Sequence, residues 1–118
     1  MRVLVVDDDP VVLESCKRVL ESEGWQPRVS SGALEALETL KEECFDLLLV
    51  DIKMPEQDGI FLMERAIEEC PDVPILVMSG YPTSETVARS QAIGARDFIS
   101  KPFTPDELLE AIHRMLEK

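Results

Sequence analysis

Phe45-Asp46-Leu47-Leu48-Leu49-Val50-Asp51 is a run of apolar residues that ends in a carboxylate. A short, continuous apolar run is typical of a strand that is buried on both faces of a parallel sheet. Asp51 would then lie at the carboxyl end of that strand, which is the edge where open α/β sheets bind ligands. Taken alone, Asp51 could equally begin an ordinary polar loop, so its role depends on where the other strands end.

Strand and helix patterns alternate along the whole chain. Apolar runs over 2–6, 25–29, 45–50, 73–78 and 98–100 predict strands, and helical periodicity or capping signals follow each of them. Strands that are separated by helices pair in parallel through right-handed crossovers. The sequence therefore predicts one α/β domain over residues 1–118, with five helices around a doubly wound, five-stranded parallel sheet.

Local signals support several of these elements. Asp9 is a plausible cap for a first helix that begins at Pro10, and Thr104 with Glu107 matches a capping box for the last helix. Pro27 favours an edge position for the second strand, because proline cannot donate to a neighbouring strand. In the second helix, the predicted buried face carries Leu34, Leu37 and Leu40.

Charge narrows the classes of function. The chain has 24 acidic and 12 basic residues, for a formal net charge of −12. A surface this acidic repels phosphate backbones and anionic lipids. Direct nucleic-acid or membrane binding is therefore not expected. No apolar run approaches the length of a membrane span or of the core of a secretory signal.

The three cysteines, Cys16, Cys44 and Cys70, are odd in number and widely spaced, without a CxxC pair. This pattern predicts buried thiols in a reducing compartment instead of a disulfide framework or a zinc site. The expected location is the cytoplasm.

Polar side chains follow four of the five predicted strands. Asp7 and Asp8 follow the first, Asp51 the third, Ser79 the fourth and Lys101 the fifth. Singly, these could be a helix cap, a turn residue or a surface charge. Parallel strands, however, bring their carboxyl ends to one edge of the sheet, so the pattern as a whole predicts a shared cleft.

The chemistry of that cleft follows from its charges. Two unit charges about 4 Å apart repel by about 4 kcal/mol at an effective dielectric constant near 20. A divalent cation removes this cost, and oxygen ligands with room for water suit Mg²⁺. With a lysine and a hydroxyl added, the site has what phosphoryl transfer needs: charge neutralisation and a carboxylate that can accept the group covalently.

Four blocks of sequence resemble the receiver domain of two-component response regulators. They are Val5-Val6-Asp7-Asp8-Asp9-Pro10, then Asp51-x-x-Met54-Pro55 with Asp58-Gly59, then Met78-Ser79-Gly80, and finally Gly94-Ala95-x-Asp97-Phe98-x-x-Lys101-Pro102-Phe103. The resemblance covers essentially the whole chain. It implies the flavodoxin-like strand order 2-1-3-4-5, as in chemotaxis regulators.

The resemblance also implies roles for individual residues. Asp51 would be the phosphoacceptor, and Mg²⁺ would be bound by Asp8, the Asp51 carboxylate and the backbone carbonyl of Lys53. Asp7 would act on the metal mainly through a water. Lys101 would pair with one phosphoryl oxygen and Ser79 would hydrogen-bond another. The Lys101–Pro102 bond is often cis in this family.

The implied output of such a domain is binding and not metabolic catalysis. The domain would take its phosphoryl group from a sensor histidine kinase or a histidine phosphotransfer protein, and would assist only its own phosphorylation and dephosphorylation. It would bind a downstream protein or effector domain, either as a monomer or as a phosphorylation-dependent dimer. Phe98 would turn inward with Ser79, and so remodel the face formed by the fourth helix, the fifth strand and the fifth helix. The family commonly has tyrosine at that position, so only the packing part of the switch is expected here.

Two positions beside the acceptor are expected to set the lifetime of the phosphate. Lys53 lies two residues after Asp51, and Tyr81 two after Ser79. The resemblance implies that such positions modulate hydrolysis, and a bulky Tyr81 could hinder the attacking water. Both could equally be ordinary loop side chains.

Two other functions remain open at this point. Asp7-Asp8-Asp9-Pro10-Val11 also fits the opening motif of haloacid-dehalogenase-like phosphatases, in which the first aspartate, here Asp7, is the nucleophile. Those enzymes normally have a longer chain, a cap and a late acidic pair that this sequence lacks. The other possibility is a receiver fold used only as a scaffold, against which the complete acceptor set argues.

Overall fold

A computed structural model describes residues 1–52, 59–80 and 83–116, which contain five strands alternating with five helices. The strands are β1 (Arg2–Val6), β2 (Gln26–Ser30), β3 (Leu47–Asp51), β4 (Ile75–Ser79) and β5 (Asp97–Ser100). The helices are α1 (Pro10–Ser22), α2 (Ala33–Glu42), α3 (Gly59–Glu69), α4 (Ser84–Ile93) and α5 (Pro105–Leu116). The alternation predicted from the apolar pattern is confirmed.

All five strands form one parallel sheet in the order β2-β1-β3-β4-β5, as predicted. β2, which contains Pro27, lies at an edge. The register pairs Val6 with Val50, and Ser79 with Ser100. The residues that follow β1, β3, β4 and β5 therefore lie at one edge of the sheet, which we call the carboxyl edge.

Both faces of the sheet are covered. One core contains alternate strand residues with α2 and α3, and the other contains the intervening strand residues with α1 and α5. This two-sided burial explains why β3 and β4 are continuous apolar runs in which every residue is buried. By contrast, α4 buries only Ser90 among its own residues, so it is the helix least anchored to the core.

The helix caps predicted at the start of α1 and α5 are both present. The Asp9 side chain accepts a hydrogen bond from the Val11 amide at 2.9 Å. At α5, Thr104 and Glu107 each accept a hydrogen bond from the other's amide, at 3.1 and 2.8 Å. No helix in the described ranges is both long and apolar enough to span a bilayer.

The predicted buried face of α2 is wrong at Leu34, which is 59% exposed. The buried residues of this helix are Ala33, Ala36, Thr39 and Leu40, with Leu37 only partly buried. Successive helical residues are rotated by about 100°, so a face centred on these alanines turns Leu34 towards solvent. The sequence pattern misled because leucine was given more weight than alanine, whose small side chain allows close packing.

The prediction for the cysteines is also wrong for two of the three. Cys44 and Cys70 form a disulfide, with their Cα atoms 6.0 Å apart, and Cys44 is exposed. Cys16 is the buried free thiol that the sequence predicts. The pairing arises because Cys44 precedes β3 and Cys70 precedes β4, and these two strands are neighbours in the sheet. The inference of a reducing compartment loses the support of three free thiols.

Candidate functional site at the carboxyl edge

Three carboxylates converge at the carboxyl edge. Asp7 and Asp8 directly follow β1, and Asp51 is the last residue of β3. One carboxylate oxygen from each lies within 4.8 Å of the other two. Asp7 is fully buried and Asp51 is 5% exposed, whereas Asp8 is open to solvent. The cluster is therefore buried against the core at Asp7 and Asp51 and accessible to solvent at Asp8.

Lys101 closes the cluster from the direction of β5. Its amide donates to the Ser79 carbonyl at 2.8 Å, so the backbone of the sheet fixes where the side chain starts. Its ammonium nitrogen lies 2.6 Å from Asp7 Oδ2 and 2.9 Å from Asp51 Oδ2. The peptide bond between Lys101 and Pro102 is cis, as the resemblance implies.

The pKa values of these groups reflect burial and mutual contact. Burial raises the pKa of the Asp7 carboxyl, and repulsion from Asp51 adds to it, whereas the contact with the Lys101 ammonium and the hydrogen bond from the Asp9 amide oppose this rise. Burial works against the charge of Lys101, but its contacts with Asp7 and Asp51 outweigh burial and raise its pKa. Lys101 therefore stays a cation between two acids.

The cluster fits a divalent cation. Three carboxylates and one ammonium carry an excess of two negative charges, and every side-chain donor is an oxygen. Asp7 Oδ2 is buried and meets no hydrogen-bond geometry within the described residues, although the Lys101 ammonium lies beside it. Oxygen donors with excess negative charge suit a hard cation. The residues that could hold one are Asp7, Asp8 and Asp51.

Ser79 ends β4 at the same edge and is 1% exposed. Asp51 pairs in register with Met78, and the Ile52 amide donates to the Met78 carbonyl at 3.0 Å. Ser79 thus lies one residue beyond the pairing partner of Asp51 on the adjacent strand. The structure brings together Asp7, Asp8, Asp51 and Lys101, and places Ser79 at the adjoining strand end, as predicted.

Gly59 belongs to the site, but the sequence interpretation gave it no role of its own beyond its place in the Asp58-Gly59 block. Its amide donates to the Ile52 carbonyl at 3.0 Å. A Cβ atom at this position would lie 2.6 Å from Ile52 Cα and still closer to the Asp51 carbonyl oxygen. Only glycine therefore allows α3 to begin directly against the backbone of Asp51. The sequence signal was the Asp58-Gly59 pair after the acidic strand.

An apolar cleft of about 480 Å³ adjoins Lys101 and was not foreseen either. Val11, in the first turn of α1, is 70% exposed, and sequence periodicity alone does not show that it lies beside the site. The lining residues are Asp9, Val11, Val12, Ser15, Gly80, Lys101, Pro102 and Phe103.

The remaining predicted site residues are Phe98, Lys53 and Tyr81. Phe98 is partly buried and packs against the core that contains α2 and α3. Its position in β5 agrees with the predicted switch face, and the switch itself stays a prediction. Lys53 and Tyr81, together with the Met54-Pro55 block, lie outside the described residues.

Comparison with known proteins identifies the pattern. A family model described as the response regulator receiver domain matches residues 3–113. The response regulator MprA of Mycobacterium leprae is 38% identical over 119 residues, which cover all of this chain and 52% of that protein. The chain therefore spans about half the length of this relative.

Solved structures agree with the fold in detail. A CheY-like receiver domain protein from Methanospirillum hungatei superposes with a TM-score of 0.91 at 38% identity, covering 96% of this chain and 90% of that one. A Burkholderia pseudomallei response regulator, solved with a phosphorylated aspartic acid, a calcium ion and citrate, gives a TM-score of 0.88 at 30% identity. That match covers 93% of this chain and 65% of the other.

Proposed function

The chain belongs to the response regulator receiver domain family, and we propose that it works as a phosphorelay receiver in which Asp51 is the phosphoacceptor. The observation that carries this assignment is the contact of 2.9 Å between the Lys101 ammonium and Asp51 Oδ2. It places a fixed positive charge beside the one cluster carboxylate that ends the central strand β3. The donor is a sensor histidine kinase or a histidine phosphotransfer protein.

The chain's own residues account for the steps of transfer. A carboxylate oxygen of Asp51 attacks the phosphorus of phosphohistidine, the new O–P bond forms as the N–P bond breaks, and the donor imidazole leaves. Lys101 neutralises charge on a phosphoryl oxygen, and the Ser79 hydroxyl donates a hydrogen bond to another. The apolar cleft beside Lys101 offers a surface for the donor that approaches Asp51.

Mg²⁺ is the proposed cofactor, held by Asp8, Asp51 and the Lys53 backbone carbonyl, with Asp7 acting through a water. When bound, it supplies further neutralisation of the phosphoryl oxygens. The excess negative charge of the cluster supports a divalent cation. A related protein, the Burkholderia pseudomallei response regulator, was solved with a phosphorylated aspartic acid and a calcium ion, which supports this proposal.

Phosphorylation would be transmitted through Ser79 and Phe98 to the surface formed by α4, β5 and α5, which we call the output face. The weak anchoring of α4, which buries only Ser90, supports a movable element there. The output is binding of a downstream protein or effector domain, by a monomer or a phosphorylation-dependent dimer, in the cytoplasm. Lys53 and Tyr81 would tune phosphate lifetime, and Tyr81→Ala would hasten its loss.

The phosphatase alternative is wrong. The family model and the relatives identify a receiver domain and not a haloacid-dehalogenase-like enzyme. The geometry agrees, because the required nucleophile would be Asp7, which is fully buried beneath Lys101 and not presented to a substrate.

Incubation with acetyl phosphate and Mg²⁺, followed by peptide mass mapping, tests the assignment. We expect one phosphoryl group on the peptide that contains Asp51, no uptake by Asp51→Asn, and normal uptake by Asp106→Asn, which removes an exposed carboxylate from α5. Label on Asp7, or undiminished label in Asp51→Asn, would contradict the proposal.

A further inference from the structure

The disulfide between Cys44 and Cys70 lies at the edge of the sheet opposite the acceptor. Both cysteines precede their strands, whereas Asp51 and Ser79 end them. A strand of five residues spans about 16 Å, so the two edges are separated by the length of the strands. The disulfide therefore lies away from the phosphoacceptor, whose proposed chemistry does not use it.

The two sulfur-bearing residues differ in access. Cys44 is exposed in the connection between α2 and β3, whereas Cys70 is only 5% exposed. The backbone of Cys70 is fixed on both sides, since its amide donates to the Ala66 carbonyl at 2.8 Å and its carbonyl accepts from the Val73 amide at 3.1 Å. Cys44 is therefore the more accessible of the two, and attack there would leave Cys70 in place as the departing thiolate.

A cleft of about 390 Å³ opens beside the disulfide and has an acidic lining. Its charged lining residues are Asp46, Glu69 and Asp72, and no basic side chain is among those that line it. The nearby guanidinium of Arg2 is already paired with Glu43. A negatively charged thiol approaching this cleft meets repulsion, and a positively charged one meets attraction.

We propose that Cys44–Cys70 is a thiol–disulfide exchange site that accepts uncharged or cationic dithiols and disfavours anionic thiols. The first thiolate of the dithiol attacks Cys44 Sγ, the S–S bond breaks, and Cys70 leaves as a thiolate that takes up a proton. The second thiol of the reagent, as a thiolate, then attacks the reagent's first sulfur in the mixed disulfide. This closes the reagent's own disulfide and releases the Cys44 thiolate. Two protein thiols form as one dithiol becomes a disulfide.

Monothiols should not complete the reduction. The Cys70 sulfur is held next to Cys44, so it attacks the mixed disulfide and re-forms the original bond faster than a second monothiol arrives. Reduction by a dithiol avoids this reversal. We expect reduction to lower the thermal midpoint by about 10 °C, because it frees the unfolded chain from a cross-link. The phosphoacceptor edge should keep its uptake of phosphoryl groups.

A series of small thiols of different charge tests this site on the intact protein. Rates of mixed-disulfide formation with cysteamine, 2-mercaptoethanol and 2-mercaptoethanesulfonate are measured by trapping the released thiol with an alkylating agent and reading the intact mass, then divided by thiolate concentration. At low salt we expect cysteamine to be faster than the sulfonate by about tenfold, with the ratio shrinking in high salt. Dithiothreitol should complete the reduction that the monothiols do not.

Matched variants distinguish the effect of the acidic residues in the cleft from the effect of the protein's net charge. Glu69→Gln/Asp72→Asn should reduce the ratio between the cationic and anionic thiols, whereas Glu85→Gln/Glu110→Gln, with the same charge change on α4 and α5, should keep it. Equal rates for the three thiols, an unchanged ratio in the cleft variant, or alkylation of Cys44 and Cys70 without any reductant would overturn the proposal.

Discussion

At the residue scale, the charges of the acceptor cluster predict opposite effects for two neutralising substitutions. Asp7→Asn removes one of the repelling carboxylates. It keeps an oxygen that can accept the hydrogen bond from the Asp9 amide, which is 2.9 Å long in the parent protein. Without added metal, we expect it to raise the free energy of unfolding by about 1 kcal/mol. Lys101→Met leaves buried Asp7 beside Asp51 without the ammonium between them. We expect it to lower the free energy of unfolding by about 2 kcal/mol.

Urea unfolding in the presence of a chelator measures both effects. Lys17→Met, which removes an exposed lysine from α1, is the control for the loss of one positive charge. Both cluster variants should take up less phosphoryl group from acetyl phosphate with Mg²⁺ than the parent protein does. A destabilised Asp7→Asn would show that repulsion among the carboxylates is not the dominant interaction in the cluster.

Glu43 gives a prediction for the effect of acid. Its hydrogen bond from the Arg2 guanidinium, with Arg28 nearby, holds the pKa of the Glu43 carboxyl below its usual value of 4.5. A carboxyl whose pKa is lower in the folded state contributes stability above the ordinary pKa and loses it as the pH falls through the folded value. The parent protein should therefore lose more stability in acid than Glu43→Gln does.

Unfolding midpoints measured from neutral pH to below the ordinary glutamate pKa check this difference. Glu42→Gln, at the exposed end of α2, serves as the control and should follow the parent curve. Parallel curves for the parent and Glu43→Gln would mean that the pair with Arg2 contributes nothing measurable.

At the element scale, the start of α3 depends on Gly59. An alanine there must displace the backbone of Asp51 or Ile52, which a close-packed strand resists. We expect Gly59→Ala to lower the free energy of unfolding by about 3 kcal/mol and to slow phosphoryl uptake by Asp51. The matched control is Gly32→Ala, whose added Cβ meets nothing within 4 Å and should cost less than about 1 kcal/mol. Equal losses in the two variants would contradict a positioning role for Gly59.

In the proposed switch the output face depends on Phe98, which is partly buried against the core. We expect Phe98→Ala to lower the free energy of unfolding by about 2 kcal/mol and to leave the stoichiometry of Asp51 phosphorylation unchanged. Amide NMR shifts of α4 on phosphorylation should shrink, because we propose that the Phe98 side chain couples β5 to α4. Phe103→Ala truncates another partly buried aromatic and should preserve the α4 response. A parallel loss of phosphoryl uptake in Phe98→Ala would refute the separation of acceptance from output.

The elements also show what the sequence could and could not predict. Asp51 and Lys101 were predictable because parallel strands fix where their ends lie, whatever the length of chain between them. The cross-link between Cys44 and Cys70 was not, because it requires two loops to meet at the amino ends of β3 and β4. Gly59 was missed for a similar reason, since the close approach of α3 to Asp51 is a property of packing. Leu34 was assigned to the wrong face because residue size does not fix the rotation of a helix.

At the scale of the whole molecule, the sheet separates two chemistries. The carboxyl edge gathers carboxylates around Lys101, and the opposite edge carries the disulfide in an acidic cleft. Between them lie two cores that cover both faces of the sheet. This arrangement allows the disulfide to change the stability of the domain while the backbone that positions Asp51 stays in the sheet.

Binding of Mg²⁺ should stabilise the whole domain. A cation that binds only the folded state adds about 1.4 kcal/mol when its concentration is about ten times the Kd, which corresponds to roughly 5 °C in the thermal midpoint. A chelator should reverse the shift. Because the net charge is −12, any salt also weakens repulsion across the molecule, so the comparison needs a monovalent salt at matched ionic strength.

Asp8→Asn distinguishes the specific part of this shift. Asp8 is the exposed carboxylate of the cluster, so its substitution should remove much of the response to Mg²⁺ without disturbing the buried residues. Asp106→Asn makes the same charge change on α5 and should respond as the parent does. If monovalent salt reproduced the full Mg²⁺ shift, or if both variants kept it, the cation would be acting by general screening and the three carboxylates would not form its site.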